Sequence, residues 1–364
     1  MKVLLAMSGG VDSSAAALVL QQQGHDVTGV TMRLWGGESD TGCCSVSDVD
    51  DARRVAQQLN IDHLVFNFSE DFNRHVVDPY VDAHQKGITP NPCIECNRHL
   101  KFDRLIERGR LLGFDAVATG HHARISRDSS GFLRVMRGAD AKKDQSYVVH
   151  MLSGEDLAYT LFPVGHMQKS EVRELAQQAG LRTATKPDSQ DVCFIGSTVG
   201  REGFLQQRID FRPAQVVDTD GREAGIVQAV ELVTVGQRRG LNLGGGDKRY
   251  VIDVDVRGQK VVVGTEDDLM IEMTPLTDVV WPRHGDSDRV VGTEVLVQGS
   301  AHGSRSGATL MTHNHNGVSQ HILKWDRPQR RIAPGQSVVF YDATDTYVLG
   351  GAIVQTEPVN TANA

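Results

Sequence analysis

Two groups of residues in this 364-residue chain have the types and spacing for covalent chemistry. The first is Ser8-Gly9-Gly10-Val11-Asp12-Ser13-Ser14, which follows the apolar run Lys2–Met7 and opens an Ala- and Leu-rich segment. Gly9 and Gly10 let the backbone come close to a ligand. A helix starting there aims unbonded N–H groups and a partial positive charge at it, which suits a phosphate or pyrophosphate. Ser8, Ser13 and Ser14 can add hydroxyl donors. Asp12 would be repelled by bare phosphate, so a bound Mg²⁺ is the natural reason for an acid there. The segment has neither the Lys of a G-x-x-x-x-G-K-[ST] loop nor the spacing of G-x-G-x-x-G. The second group is the cysteines: Cys43-Cys44, Cys93-x-x-Cys96 and Cys193. Thr89–Arg98 reads as a proline-stiffened loop running into a basic helix. A thiol at that helix N-terminus, near Arg98 and Lys101, is expected to be reactive. Cys193 lies in the polar stretch Lys186–Phe194. The plain alternatives are a capped Gly turn for the first group, and buried small hydrophobes for the cysteines. A structural zinc site on Cys93 and Cys96 with His99 or Cys43-Cys44 is a third, although a second C-x-x-C is missing.

These residues need elements to hold them. Lys2–Met7, Asp26–Leu34, His63–Phe68 and Asp115–Thr119 read as strands, and Val11–Gln23, Asp48–Leu59, Asn97–Leu112 and Lys169–Ala179 as helices. Alternation at this spacing predicts βαβ units, a parallel sheet with helices on both faces. After about Gly196 the chain becomes Val-, Thr- and Gly-rich. Ala214–Asp218, Val230–Val235, Tyr250–Val256 and Lys260–Thr265 read as strands, and from Leu276 onward Val279–Trp281, Glu294–Val297, Ala308–Thr312, Ser337–Tyr341 and Tyr347–Ile353 do so again, as in a small barrel. Three domains are expected: 1–196, 197–273 and 274–364.

Composition narrows the class. Apolar residues make up 40% and charged residues 23%, which excludes disordered and fibrous chains. An odd count of cysteines in a long chain argues against a secreted disulfide scaffold, and the apolar start is too short for a signal peptide or a membrane span. A reducing cytoplasm is the expected location, with no membrane partner. The net charge of −8 disfavours a general nucleic-acid coat protein, but not local RNA contact. Two basic runs are candidates for that contact: Arg98, Lys101, Arg104, Arg108 and Arg110 on one helix, and Lys324, Arg327, Arg330 and Arg331 near the C-terminus. Either is equally well a solvated face. Of the pair His121-His122, His121 is the better site candidate because it follows Thr119-Gly120.

Ser8–Ser13 is similar to the PP-loop signature of ATP pyrophosphatases of the adenine-nucleotide α-hydrolase-like fold. Together with Thr89–Asn97, Lys101-Phe102-Asp103, Thr119-Gly120-His121, Lys143–Tyr147 and Ser189–Gly196, it resembles the tRNA-specific 2-thiouridylases of the MnmA type along the whole chain. The resemblance implies a PP-loop domain, a small central domain and a C-terminal β-barrel. It implies ATP-dependent replacement of the C2 oxygen of the wobble uridine of tRNA by sulfur, with release of AMP and pyrophosphate. By motif position, Cys96 is similar to the family's nucleophile and Cys193 to its persulfide-bearing cysteine. Ala6, Met7, Ser8, Gly9, Gly10, Val11, Asp12 and Ser13, with Met32 and Gly120, match positions that contact ATP, and Asp12 is the candidate Mg²⁺ ligand. Asn91, Pro92 and Cys93 match the segment touching the target base, and Lys143, Asp144 and Gln145 a tRNA-contacting segment. A cysteine desulfurase or sulfur-relay protein is implied as sulfur donor. The chain departs from the family at Cys93, where many relatives carry Asp. It departs again at Val297-Gln298-Gly299-Ser300, where relatives often read Arg-aromatic-Arg, so no tRNA contact is carried over to the barrel.

The chemistry explains why two distant cysteines are required. Adenylation turns the poor C2 leaving group into AMP. A persulfide on Cys193 can then attack C2, and a Cys96 thiolate can cut the sulfur–sulfur bond. The alternative sulfur carrier is a hydrosulfide on a [4Fe–4S] cluster with Cys93, Cys96 and Cys193 as three ligands. Two other functions compete: a PP-loop ligase or amidotransferase acting on a small metabolite, which needs no thiol, and a zinc-stabilised RNA-binding protein, which needs no intact PP-loop.

Overall fold

The computed structural model describes residues 1–34, 46–188, 192–195, 199–241, 243, 248–315 and 318–355. The chain begins with β1 (Lys2–Ala6), α1 (Val11–Gln22), β2 (Asp26–Arg33), α2 (Val46–Gln58), β3 (Asp62–Asn67) and β4 (Ala116–Ala118). The hairpin β5 (Ala123–Arg127) and β6 (Leu133–Arg137) follows, then β7 (Thr160–Leu161). Five of these strands form the expected parallel sheet, in the order β3-β2-β1-β4-β7. Val3, Leu4 and Leu5 are all fully buried because helices cover both faces of the sheet. Successive side chains of β1 enter different cores: Leu4 joins one apolar cluster, Val3 and Leu5 the other. On the second side Ala15, Ala16 and Ala17 of α1 bring that helix close to the sheet and to Val172 and Ala176 of the helix Lys169–Gln178.

The cysteine-bearing helix is less regular than expected. It starts at Pro92, where the missing N–H of proline costs nothing, widens to π-helical turns over Cys96–Arg104, and ends as an α-helix over Leu105–Leu111.

A second sheet holds β8 (Ala214–Asp218), β9 (Glu223–Val227), β10 (Tyr250–Asp255) and β11 (Lys260–Gly264), in the order β10-β11-β8-β9. The run Val230–Val235, expected as a strand, contains only a 3₁₀ turn, Val230–Leu232. Glu231 explains it. Its carboxylate is buried to accept from the Arg212 Nε at 2.8 Å, and its carbonyl faces His84 Nδ1 at 3.1 Å, a curl no ladder allows. The rest forms a closed antiparallel barrel of β12 (Met270–Val280), β13 (Glu294–Gln298), β14 (Arg305–His315), β15 (Val318–Arg330), β16 (Ser337–Tyr341) and β17 (Val348–Val354). The basic run Lys324–Arg330 is part of β15.

The barrel is welded to the sheet domain. The main apolar cluster crosses from Tyr147, Val149 and Met151 to Val339, Tyr341 and Val348. Tyr147 Oη donates to the Ser337 carbonyl at 2.8 Å, the Ser146 and Tyr341 hydroxyls lie 3.0 Å apart, and Arg134 holds Asp286 through both its terminal nitrogens at 2.9 and 3.0 Å. Among the described residues no helix is long and apolar enough to cross a membrane.

Two of the buried contacts carry a pH signature. His84 sits under Glu231, and His150 packs against Gly351 of the barrel. Burial lowers both imidazoles to about 4 from the ordinary 6.5. Below 6.5 the unfolded chain binds protons that the folded chain refuses until about 4, so stability falls with pH across that window and returns above it. Each ring contributes up to about 3 kcal/mol to that loss. The thermal midpoint is expected to drop steeply between pH 6.5 and 4, and His150→Phe should flatten part of the drop. A variant with an unchanged acid limb would rule this origin out.

Candidate active site

The PP-loop is built as the glycines require. Gly9 has φ +69°, the left-handed region, and a Cβ there would run into the Asp48 carbonyl of α2. Lys186 clamps the same junction: its Nζ donates to Asp48 at 2.7 Å, Asp51 at 2.9 Å and the Gly9 carbonyl at 3.1 Å. Gly120, at the end of β4, passes so close to the start of α1 that a Cβ would lie 2.7 Å from the Ser13 nitrogen. Ser13 and Ser14, expected as phosphate donors, turn their hydroxyls inward. Both donate to the Gly10 carbonyl, at 3.2 and 2.8 Å, and Ser13 Oγ also accepts from the Ser8 N–H at 3.3 Å. They brace the loop, while Ser8 stays exposed.

In front of the loop lies a cavity of about 330 Å³. Ala6, Met7, Ser8, Asp12, Ser13, Met32 and Gly120 reach it, as do Lys143, Asp144 and Gln145. Val11 does not; it is buried in the core behind α1. Gly9 and Gly10 are not among the lining residues either. Three lysines line this space, Lys101, Lys143 and Lys169, and Ala301 and His302 of the barrel close one side.

Asp12 is the centre of an ion network. Lys169 Nζ lies 2.7 Å from each of its carboxylate oxygens, and His122 Nε2 lies 3.0 Å from one. Burial would raise the Asp12 carboxyl, but His122 and Lys169 outweigh it and hold it below its ordinary range. Lys169 is shared with Asp188 at 3.0 Å, and Asp188 also accepts from Lys143 and Arg173, each at 2.7 Å. An ammonium thus stands between two carboxylates facing the cavity, a donor set that suits a divalent cation on a triphosphate.

Both histidines of the pair line the cavity. His121 lies between Phe102 and Phe162 with its Nδ1 2.7 Å from the Thr119 hydroxyl, and burial pushes its pKa well below the ordinary imidazole value. His122 is the ring that touches Asp12, and its Nδ1 has no hydrogen-bond partner among the described residues. Asp144 and Gln145 are largely consumed by the fold. Asp144 accepts from Arg137 and the Gly138 N–H, each at 2.7 Å, and Gln145 accepts from the His122 N–H at 2.8 Å. Lys143 keeps its half-exposed ammonium at the cavity.

Cys93, Cys96 and Cys193 are not among the residues that line the cavity. Cys96 is buried in the main apolar cluster, five residues before Lys101 on the same helical run, and Cys193 packs against that cluster. Phe194 anchors Cys193 edge-on to Phe72, Tyr80 and Phe204. Tyr80 is also within electrostatic reach of Cys93. The segment carrying Asn91, Pro92 and Cys93 is pinned where three domains meet: the Thr89 N–H donates to the Pro334 carbonyl at 2.9 Å, Gln336 donates to the Thr89 carbonyl at 2.6 Å, and the Thr89 hydroxyl meets Thr234 at 3.2 Å. Among the described residues no group of three His, Cys, Asp or Glu is gathered to hold a metal ion. Cys43 and Cys44, and with them that zinc alternative, lie outside the described residues, as do Ser189–Asp191 and Gly196.

The two basic runs are mostly spent on neighbours. Arg104 pairs with Asp71 and Glu107 at 2.8 and 2.9 Å, Arg110 with Asp156 at 3.3 Å, and Arg331 donates to the Ile252 carbonyl.

A cavity at the head of a parallel sheet, bounded by a glycine loop at a helix start and by an acid paired with its lysine, defines a PP-loop nucleotide-using enzyme. Residues 1–197 match the tRNA methyl transferase HUP domain, residues 202–265 the tRNA methyl transferase PRC-barrel domain, and residues 296–354 the aminomethyltransferase beta-barrel domain. The tRNA-specific 2-thiouridylase MnmA of Chloroflexus aggregans is 44% identical over 96% of this chain and 97% of its own. Those of Herpetosiphon aurantiacus and Beutenbergia cavernae are 41% and 43% identical, over 98% and 97% of this chain and 99% and 94% of theirs. The chain belongs to the tRNA-specific 2-thiouridylase family.

Proposed function

We infer that the protein converts the wobble uridine of tRNA to 2-thiouridine, using ATP and releasing AMP and pyrophosphate. One observation carries the reading: a lysine-rimmed PP-loop cavity lies beside an apolar cluster in which Cys96 is buried and against which Cys193 packs. ATP is the substrate of the first half. The start of α1 and Ser8 take its phosphates, with Lys101, Lys143 and Lys169 around them. Asp12 is the residue that would hold an accompanying Mg²⁺, which supplies neutralisation of charge on the departing pyrophosphate. The uridine O2 displaces pyrophosphate from the α-phosphorus.

In the second half the terminal sulfur of a Cys193 persulfide attacks C2 and AMP leaves, so that the base is joined through that sulfur to Cys193 Sγ. The Cys96 thiolate then attacks Cys193 Sγ. The sulfur–sulfur bond to the base breaks, the sulfur stays on C2, and a Cys96–Cys193 disulfide forms. A two-electron thiol reductant resets it. The sulfur comes from a cysteine desulfurase or a relay protein, and the cytoplasm is where ATP and tRNA meet it. Asn91, Pro92 and Cys93 present the base, and Lys143 contacts the tRNA.

The test uses protein purified without oxygen, with ATP, Mg²⁺, unmodified tRNA transcript and a persulfide donor. AMP release should depend on tRNA, and thiolated uridine should migrate slowly on a mercury-containing gel. AMP released equally fast without RNA would instead support a ligase for a small metabolite. Cys93 separates the sulfur routes. With the persulfide route Cys93→Asp retains activity within about tenfold, since it leaves both transfer thiols intact. Loss of iron and activity together in Cys93→Ala, which offers no ligand atom, would favour the cluster.

A further inference from the structure

A carboxylate that is to take a cation must be held still, and a lysine alone does this poorly. Its ammonium is a point charge on a flexible stem and imposes little direction. Lys169 meets both oxygens of Asp12 at 2.7 Å, whereas His122 meets one, its Nε2 lying 3.0 Å from Oδ1. Among the described residues Oδ2 therefore accepts from Lys169 alone and keeps acceptor capacity that Oδ1 has spent. The ring has little freedom to follow the acid. It is buried, and one residue grips its main chain on both sides: the His122 N–H donates to Gln145 Oε1 at 2.8 Å, and the His122 carbonyl accepts the Gln145 N–H at 2.9 Å. Gly138 passes so close to that carbonyl that a Cβ would lie 2.4 Å from it. The preceding ring, His121, lies between Phe102 and Phe162.

We propose that His122 is a positioning residue for Asp12: it occupies Oδ1 and leaves Oδ2 for the divalent cation that accompanies the triphosphate. This rests on the reading of the cavity as the ATP site. Lys169 is shared with Asp188, so an acid held by that ammonium alone would swing with it. A planar donor fixed through its own backbone removes that motion. The type of donor matters as well. Nδ1 of His122 has no hydrogen-bond partner among the described residues, so a single N–H, on Nε2, meets all that the contacts ask of the ring. Such a donor orients the carboxylate without setting a second ammonium beside the cation's place. Hydrogen-bonded partners of this kind strengthen a ligand's hold on its metal. Gln145 belongs to the same device, because its amide oxygen and main-chain N–H set where the ring stands.

The probe is α,β-methylene-ATP, which cannot be cleaved at the bond the reaction breaks. Its binding to the full-length protein is measured by equilibrium dialysis with and without Mg²⁺. In the wild type Mg²⁺ should tighten binding. The amide of His122→Asn stops short of Oδ1, so most of that gain should vanish: the analogue with Mg²⁺ is held about tenfold less tightly, and the metal-free analogue within about twofold of wild type. His122→Gln carries an N–H as far as Nε2 does and should recover most of the gain. Should the Asn protein fail to fold, His122→Leu, an apolar filler of the same space, takes its place with the same expected loss. A variant without the donor that keeps the full Mg²⁺ effect overturns the proposal. So does equal weakening with and without the metal, which marks the ring as a mere wall of the cavity, and so does wild-type binding that is indifferent to Mg²⁺. Wild-type protein that does not bind the analogue at all overturns the reading of the cavity, and the proposal with it. In turnover with tRNA, His122→Asn should need about tenfold more Mg²⁺ than wild type for half-maximal pyrophosphate release, with excess Mg²⁺ restoring the rate. A loss that Mg²⁺ does not restore is that of a distorted site and overturns the assignment.

Discussion

Replacing Cys193 by Ser should eliminate 2-thiouridine, a loss of more than about 10³-fold, while AMP release on tRNA stays measurable. A serine hydroxyl cannot carry the persulfide, so the transferable sulfur has nowhere to reside. Adenylation survives because its groups, the start of α1, Asp12 and the cavity lysines, do not include the thiol. Cys96→Ser is informative beside it. Its first sulfur–carbon bond still forms, but nothing cuts the sulfur–sulfur bond, so a protein–RNA adduct that dithiothreitol dissolves should accumulate. Gel mobility of the tRNA with and without reductant reads both outcomes. Slow-migrating thiolated tRNA from the Cys193→Ser protein alone would refute the assignment.

Asp12→Asn should slow pyrophosphate release by about 10²–10³-fold, in the range found when one preorganised electrostatic contact is removed from an active site. The amide keeps the size of the side chain but not its charge. Lys169 then turns wholly to Asp188, and the His122 ring loses its anionic neighbour. Retention of tRNA on a filter should be unaffected, because binding of the long polyanion draws on a much wider surface. Pyrophosphate released at the wild-type rate would remove Asp12 from the reaction.

Much of the frame can be read from the chain, for reasons visible in particular residues. The parallel sheet follows from short apolar runs separated by helical ones. The PP-loop follows from two glycines, an acid and a strand–turn–helix context packed into seven positions. Such signals are local. The partners of Asp12 are not: His122 lies 110 residues away and Lys169 157. Neither has a neighbour in sequence that marks it, and a histidine pair gives no clue to which ring faces the acid. Lys186 is likewise an ordinary lysine until folding sets it against Gly9 and two aspartates. Val230–Val235 has the composition of a strand, but the buried Glu231 decides its shape through Arg212. β14 and β15 are longer than their apolar stretches because the ladder continues through polar residues such as His313 and Gln320.

The shared core between the sheet domain and the barrel also bears on how the protein is made. Ser146 meets Tyr341, 195 residues further along. At ordinary translation rates the last barrel strands leave the ribosome on the order of 10–40 s after the catalytic domain has been synthesised. For that interval Tyr147, Val149 and Met151 have no barrel to cover them. The nascent chain therefore displays a sticky apolar face next to a finished nucleotide cradle, and it is a natural client for chaperones until the barrel closes over it.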